Sequence, residues 1–537
     1  MKKIEQTDKF GLAMDHRSHR KREKTMSTKK PLSLVILTLI LTLSLSSLVS
    51  ADCFTVIVGK NASADGSVLF GHNEQNGGRR IINYRYVPRL KFGPGTMVSL
   101  KNSGTLPEVT ETYAMIWQQN PEIEFGDSYF NEWGVVIASD SCGTQEDSYE
   151  KLVDRGDIKD GGIGYMFRRI IAQRAKTARE GVKIAAELLA RFGYSSSGRS
   201  YTIADPNEAW VLSVARGNHW IAQRCPDDEV VLLPNIHVIG AEADLEDKDN
   251  VMASPGLVEY AVQRGWYDPS LGQPFSFKDA FNRPPKKGSF MDEHGCDPRQ
   301  WYAQSMVTGR LIDLPVRVSL PFSVKPEHKM SVEDVAKILR SHSEGSPFDA
   351  SHDYSSGSPH LLRGRANICS KGTQEGAVYQ LRSGMPKEIG CVVWRTTAAP
   401  CCNALTPWYL GITDTPRSFR KEEDIQTALD VYHHFHYPQD KMDYDPDFAF
   451  DIFNSLENLV DRDYEEALKV VKEEWDPFEK TQFQLQPYIE QVALDLYEKD
   501  KILAKRFLTD YTFSRAQLAL EKAKELNKKL KTMFWSN

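Results

Sequence analysis

Cysteine is sparse in this chain: eight residues in 537, at Cys53, Cys142, Cys225, Cys296, Cys369, Cys391, Cys401 and Cys402. That is too few for a disulfide-built scaffold, and no Cys-x-x-Cys pair occurs. Basic charge is not in excess either, since the net charge of -6 gives no electrostatic footprint for nucleic acid. After Val49 there is no stretch apolar enough to cross a bilayer. No internal repeat is visible. What remains, 41% apolar and 26% charged residues, is ordinary globular composition with room for a large core and more than one structural unit.

The one long apolar run lies near the start. Residues 1 to 30 are rich in Lys, Arg and His, and residues 32 to 49 carry no charge, with small residues at Ser47, Ser50 and Ala51. This pattern reads as an export signal, with Met26 as an alternative start and an uncleaved membrane anchor as the alternative outcome. Where the signal ends, Asp52 and Cys53 open a β-branched strand, so processing places Cys53 at residue one. A cysteine with a free α-amine carries nucleophile and base together, because that amine titrates at roughly 7.7 to 8. The Asp before the cysteine speaks against lipid attachment, which leaves a structural thiol as the alternative.

Residues 54 to 59 and 67 to 70 flank turn chemistry at 61 to 66, a hairpin signal. A turn centred near Ser63 sets residue 53 opposite residue 73, so Asn73 and Glu74 become candidate site residues, Asn73 as an oxyanion donor and Glu74 as a partner of the amine. Strand-like runs follow at 108 to 118 and 134 to 139, the second preceded by Asn131, a further candidate. Apolar residues at Ala178, Val182, Ala185, Leu189 and Phe192 mark a helix ending at Gly193, the second of two spanning about 164 to 174 and 177 to 192. An antiparallel meander covers 200 to 223, a helix is expected near 332 to 341, strands return at 377 to 381 and 391 to 396, and the chain from about 444 is helical. Strands, two helices and more antiparallel strands are compatible with two stacked sheets covered by helices. His433, His434 and His436 read as a surface cluster, and Cys401 with Cys402 as buried or separately paired thiols, not as metal ligands.

The segment from Cys53 through Asp65, Gly66 and Ser67 resembles the mature start of the dipeptidase A and secernin family of cysteine N-terminal-nucleophile hydrolases. Further blocks are similar in order: Asn131 to Val135, Glu208 to Trp210, His219 to Arg224, Pro226 to Asp228, Asp249 to Pro255, Arg340 to Gly345, and Gln380 to Arg382 with Pro386 and Trp394. The resemblance spans about residues 53 to 530. It implies a four-layer αββα sandwich (fold class α+β) with a helical C-terminal segment, cleavage before Cys53, and hydrolysis of small peptides, typically dipeptides, with no cofactor and no metal. Two departures stand out: His72, Asn73, Glu74 and Gln75 replace an Arg-Asn-acidic pattern, and Ala253 occupies the place of an oxyanion Asn in related acylases. The expected organisation is a signal and any propeptide at 1–52, a catalytic domain at 53–443 and a packed helical segment at 444–537. The expected activity is that of an exported thiol dipeptidase. An N-acyl amidohydrolase or acyltransferase, and a catalytically silent binding protein, are the alternatives. Small peptides are the expected partners, nucleic acid is not, membrane contact arises only through a retained signal, and homo-oligomerisation is left open.

Overall fold

The β-branched run after Cys53 forms the strand Phe54–Val58 in a computed structural model that describes residues 53–77, 81–314, 319–349, 358–361, 367–421 and 423–536. The expected signal and propeptide at 1–52 lie outside the described residues. Phe54–Val58 is central in a seven-stranded antiparallel sheet ordered Ser323–Val324, Val230–Leu233, Phe54–Val58, Val68–Gln75, Thr373–Leu381, Cys391–Thr397, Thr406–Tyr409. A second, eight-stranded antiparallel sheet is ordered Val251–Ala253, Trp220–Arg224, Ala209–Gly217, Tyr194–Ala204, Val136–Ser141, Ser128–Asn131, Met115–Gln119, Asn83–Val87. Strands buried on both faces explain why Phe54–Val58 reads as a continuous apolar run instead of an alternating one.

The two sheets face each other. Tyr379 of the first packs edge-on against Phe130 of the second at 5.3 Å, and its hydroxyl lies 3.2 Å from Ser128 Oγ. Ile57, Phe70, Val136 and Val211 fill the same layer. Helices Met166–Arg174 and Ala178–Phe192 cover the outer face of the eight-stranded sheet through Phe167, Ile171, Val182 and Leu189. Thr177 caps the second of these by accepting from Glu180 N, and Gly193 ends it. Helix Val332–Leu339 covers the other sheet and starts at a reciprocal capping box of Ser331 and Asp334. It lies so close to strand Val68–Gln75 that a Cβ on Gly71 would sit 2.4 Å from Val335 Cγ1. Helices Ala449–Val460, Tyr464–Lys499 and Lys501–Ser536 complete that outer layer. They are tied to it by Arg340 with Glu479 and by the two-pronged pair of Arg382 with Glu490. The expected αββα sandwich with a helical C-terminal segment is the fold observed.

One expectation is corrected here. His434 is not at the surface; it is fully buried on the short helix Val431–Phe435, stacked at 4.2 Å on Tyr165, with Nε2 at 3.0 Å from the Ile123 carbonyl. No described helix is long and apolar enough to cross a membrane.

Candidate active site

Cys53 stands at the entry to strand Phe54–Val58, and the hairpin partner strand decides what meets its thiol. The pairing is Phe54 with Asn73 and Thr55 with His72, which sets residue 53 opposite Glu74, not opposite Asn73 as the centred turn predicts. A slip of one residue exchanges the faces of a strand. Glu74 therefore shares the inter-sheet face with Cys53, and its Oε1 lies 3.8 Å from Cys53 Sγ, with the Gln75 carbonyl at 3.7 Å. Asn73 points to the helix layer, where its amide donates to the carbonyls of Leu339 (2.8 Å) and Ile368 (3.1 Å). Both amide hydrogens are thereby used, so the expected oxyanion role has no free donor. Asn131 is likewise occupied away from the thiol: Nδ2 donates to Ala172 and Ala175 carbonyls at 2.8 Å each, and Oδ1 accepts from Trp133 N and Val135 N. It fastens a turn to the end of helix Met166–Arg174.

Two groups that sequence reasoning did not single out complete the inner face. Asp140, from strand Val136–Ser141 of the facing sheet, accepts from Thr55 Oγ1 at 2.8 Å, and its other oxygen lies 4.0 Å from His72 Nε2. Arg299 Nη1 approaches the Cys53 carbonyl at 3.4 Å while Nη2 donates to Asn235 Oδ1 at 3.0 Å. Behind them, Arg168 and Arg199 both reach Ser139 Oγ, one residue from Asp140. The only sequence signal for Asp140 is a lone acid in an otherwise small and apolar strand.

Every member of this group is buried, and that governs its charge. Burial pushes the Glu74 carboxyl up to about 8, against the pull of Arg168 and of the Asn76 amide that donates to it at 2.6 Å. Burial raises Asp140 to about 7, offset in part by Thr55, Arg199 and Arg299. Burial and then Arg168 lower His72 to about 3, so its imidazole is neutral near pH 7. The Cys53 thiol is raised well above its usual range by burial, then by Glu74 and Asp140. Glu74 Oε2, Asp140 Oδ1 and His72 Nε2 are buried with no hydrogen-bond partner. Burial and the two neighbouring acids therefore favour the protonated thiol over the thiolate at Cys53.

Comparison with known proteins places the chain. The model of peptidase family C69 matches residues 52–475. A dipeptidase of Bifidobacterium longum (strain NCC 2705) is 30% identical over 413 residues, covering 71% of this chain and 75% of its own length. A probable dipeptidase of Latilactobacillus sakei is 28% identical over 387 residues, covering 71% and 78%. Dipeptidase A of Lactobacillus helveticus is 26% identical over 379 residues, covering 69% and 77%. Among solved structures, a mutant of the conjugated bile acid hydrolase from Clostridium perfringens aligns over 67% of this chain and 92% of its own, at 13% identity and a TM-score of 0.28. The chain belongs to peptidase family C69 and is a peptide hydrolase.

Proposed function

We propose that the protein is an exported dipeptidase whose nucleophile is Cys53, used as residue one of the processed chain. The observation that carries this reading is the placement of Cys53 Sγ 3.8 Å from Glu74 Oε1, between the sheets at the start of strand Phe54–Val58. Two observations support it: the family match begins at residue 52, and an uncharged apolar run at 32 to 49, the pattern of an export signal, lies just before it. Once residues 1–52 are removed, the α-amine takes the thiol proton, and the thiolate attacks the carbonyl of the substrate amide. The ammonium then returns its proton to the leaving amine, so a thioester to Cys53 replaces the broken C–N bond. Water, deprotonated by the same amine, attacks the thioester; the C–S bond breaks, the acid is freed, and the ammonium returns the proton to the departing Cys53 sulfur. Glu74, beside the new ammonium, becomes a carboxylate and holds it. Small peptides are the substrates in this reading.

The test is a panel of dipeptides, longer peptides and N-acyl amino acids with processed protein whose N-terminus has been sequenced. Dipeptide turnover that disappears in Cys53→Ala, and is severely reduced in Cys53→Ser because a hydroxyl ionises far less than a thiol near neutral pH, is the expected result. Preference for N-acyl amino acids instead moves the activity to an acylase. Full turnover by verified Cys53→Ala protein removes the thiol from the mechanism.

A further inference from the structure

A second group of reactive side chains lies on the opposite face of the seven-stranded sheet from Cys53. His342, His360 and Cys369 come from the connection between helix Val332–Leu339 and strand Thr373–Leu381, His360 on the short 3-10 turn Pro359–Leu361, and Cys401 from the loop after strand Cys391–Thr397. All are buried, and one ligand atom from each lies within 4.8 Å of the other three. His360 Nε2 is 3.1 Å from Cys401 Sγ and 3.6 Å from Cys369 Sγ. Tetrahedral zinc with Zn–S near 2.3 Å and Zn–N near 2.0–2.1 Å sets its N and S ligands roughly 3.5 Å apart, so these separations need little adjustment. Each imidazole is also held from behind by a carboxylate. His360 Nδ1 lies 2.8 Å from Asp461 Oδ1, and His342 Nδ1 lies 3.4 Å from Glu344 Oε1. His342 Nε2 is buried without a hydrogen bond. Carboxylates on Nδ1 that leave Nε2 for an ion are the usual second layer of a metal-binding histidine. Asp461 is itself fixed by Ser358 Oγ and Lys371 Nζ, both at 2.7 Å.

From this geometry we propose that His342, His360, Cys369 and Cys401 bind one Zn2+ as a closed, four-ligand structural site. Two thiols lose their protons on binding, and two thiolates with two neutral imidazoles neutralise the ion, which suits a buried site. The ion enters from a cleft of about 740 Å³ whose walls include Tyr302, His342, Cys401 and Tyr464. Its work is to pin the loops behind the catalytic hairpin. Ile368 N and Cys369 N both donate to the Ser341 carbonyl at 3.0 Å, and the Ile368 carbonyl in turn accepts from Asn73 and Gln75. The zinc loops and strand Val68–Gln75 are therefore joined by hydrogen bonds one residue from Glu74.

Metal analysis of the untagged, full chain purified without chelator tests this directly, with about one zinc per chain expected. After chelation, added Co2+ should give the near-ultraviolet thiolate-to-cobalt band and the intense visible bands of a tetrahedral site, and zinc should displace it. Both signals should be lost in Cys369→Ser/Cys401→Ser and kept in Cys296→Ser, a buried thiol elsewhere; Asp461→Asn should weaken retention roughly 10- to 100-fold. Should the double variant fail to fold, the metal content and cobalt spectrum of the wild-type chain decide alone. Absence of bound zinc with no cobalt–thiolate band, a stoichiometric metal other than zinc, or a disulfide involving Cys369 or Cys401 overturns the proposal.

Discussion

Around the Cys53 thiol, the sign of the local charge depends on whether the α-amine is free. While it is amidated, the acids that act on the thiol are Glu74 and Asp140, which burial has raised to about 8 and about 7, and neither favours a thiolate. Freeing the amine adds a cation at the same point. The neighbours in the hairpin then separate by role. Glu74→Gln removes the charge that holds the ammonium, and we expect kcat/KM to fall by about 100-fold with the fold intact, the scale of losing one positioned electrostatic partner. Asn73→Ala removes two buried hydrogen bonds to Leu339 and Ile368 carbonyls, and should cost about 1–3 kcal/mol of stability while leaving kcat per folded molecule within a few-fold. Kinetics and denaturant unfolding on both variants check this; a large kcat loss confined to Asn73→Ala returns the site to the other face of the strand.

The hairpin is the element whose details matter most, and its turn shows why sequence placed it one residue out. Nine residues separate Val58 from Val68, and a symmetric loop pairs 53 with 73. The loop is asymmetric: the Gly59 carbonyl accepts from both Ala62 N and Ser63 N, while Asn61 N donates to Asp227 in another loop. That tertiary contact sets the register, and no local signal carries it. The close packing of strand Val68–Gln75 on helix Val332–Leu339 gives a second test. Gly71→Ala drives a methyl into Val335 and should destabilise the protein by about 1–3 kcal/mol, with Val335→Ala in the same chain recovering part of the loss; equal stability of the single variant means the two elements are not packed this tightly. The helices at 166–174, 178–192 and 332–339 were legible because each has a periodic apolar face and, in two cases, a side-chain cap. Of the groups around the thiol, sequence named Cys53 and Glu74, but the centred turn put Asn73 beside the thiol and Glu74 on the other face, the reverse of the pairing observed. Asp140 and Arg299 join the site through pairings across 85 and 246 residues, and the His342, His360, Cys369 and Cys401 group assembles from loops with no motif spacing.

At the scale of the whole molecule, the inter-sheet carboxyls couple processing to stability through pH. Glu74 and Asp140 have folded pKa values raised above those of the unfolded chain, so the folded state binds more protons and stability falls as pH rises from roughly 4 through about 8 and about 7, respectively. His72, lowered to about 3, has the opposite sign, because the unfolded chain binds its proton up to roughly 6.5 and stability rises with pH over that window. The opposing slopes overlap below about 6.5; between about 6.5 and 8 only the carboxyls remain. The unprocessed chain should therefore lose stability across that upper window, each group contributing at most about 1.4 kcal/mol per pH unit. Other buried titrating groups add the same background to every variant, so the comparison that isolates Glu74 is unprocessed Cys53→Ala against unprocessed Cys53→Ala/Glu74→Gln, unfolded by denaturant at pH 6.5 and pH 8. The second should show the smaller loss. Processing should flatten the wild-type slope in the same way, because the new ammonium lowers the Glu74 pKa, and the flattening should appear only when mass analysis shows Asp52 removed. A chain that retains Asp52 has no basic amine at Cys53, so if such a chain proves fully active the amine-driven mechanism is wrong, while a slope left unchanged after Asp52 is removed overturns the stability coupling.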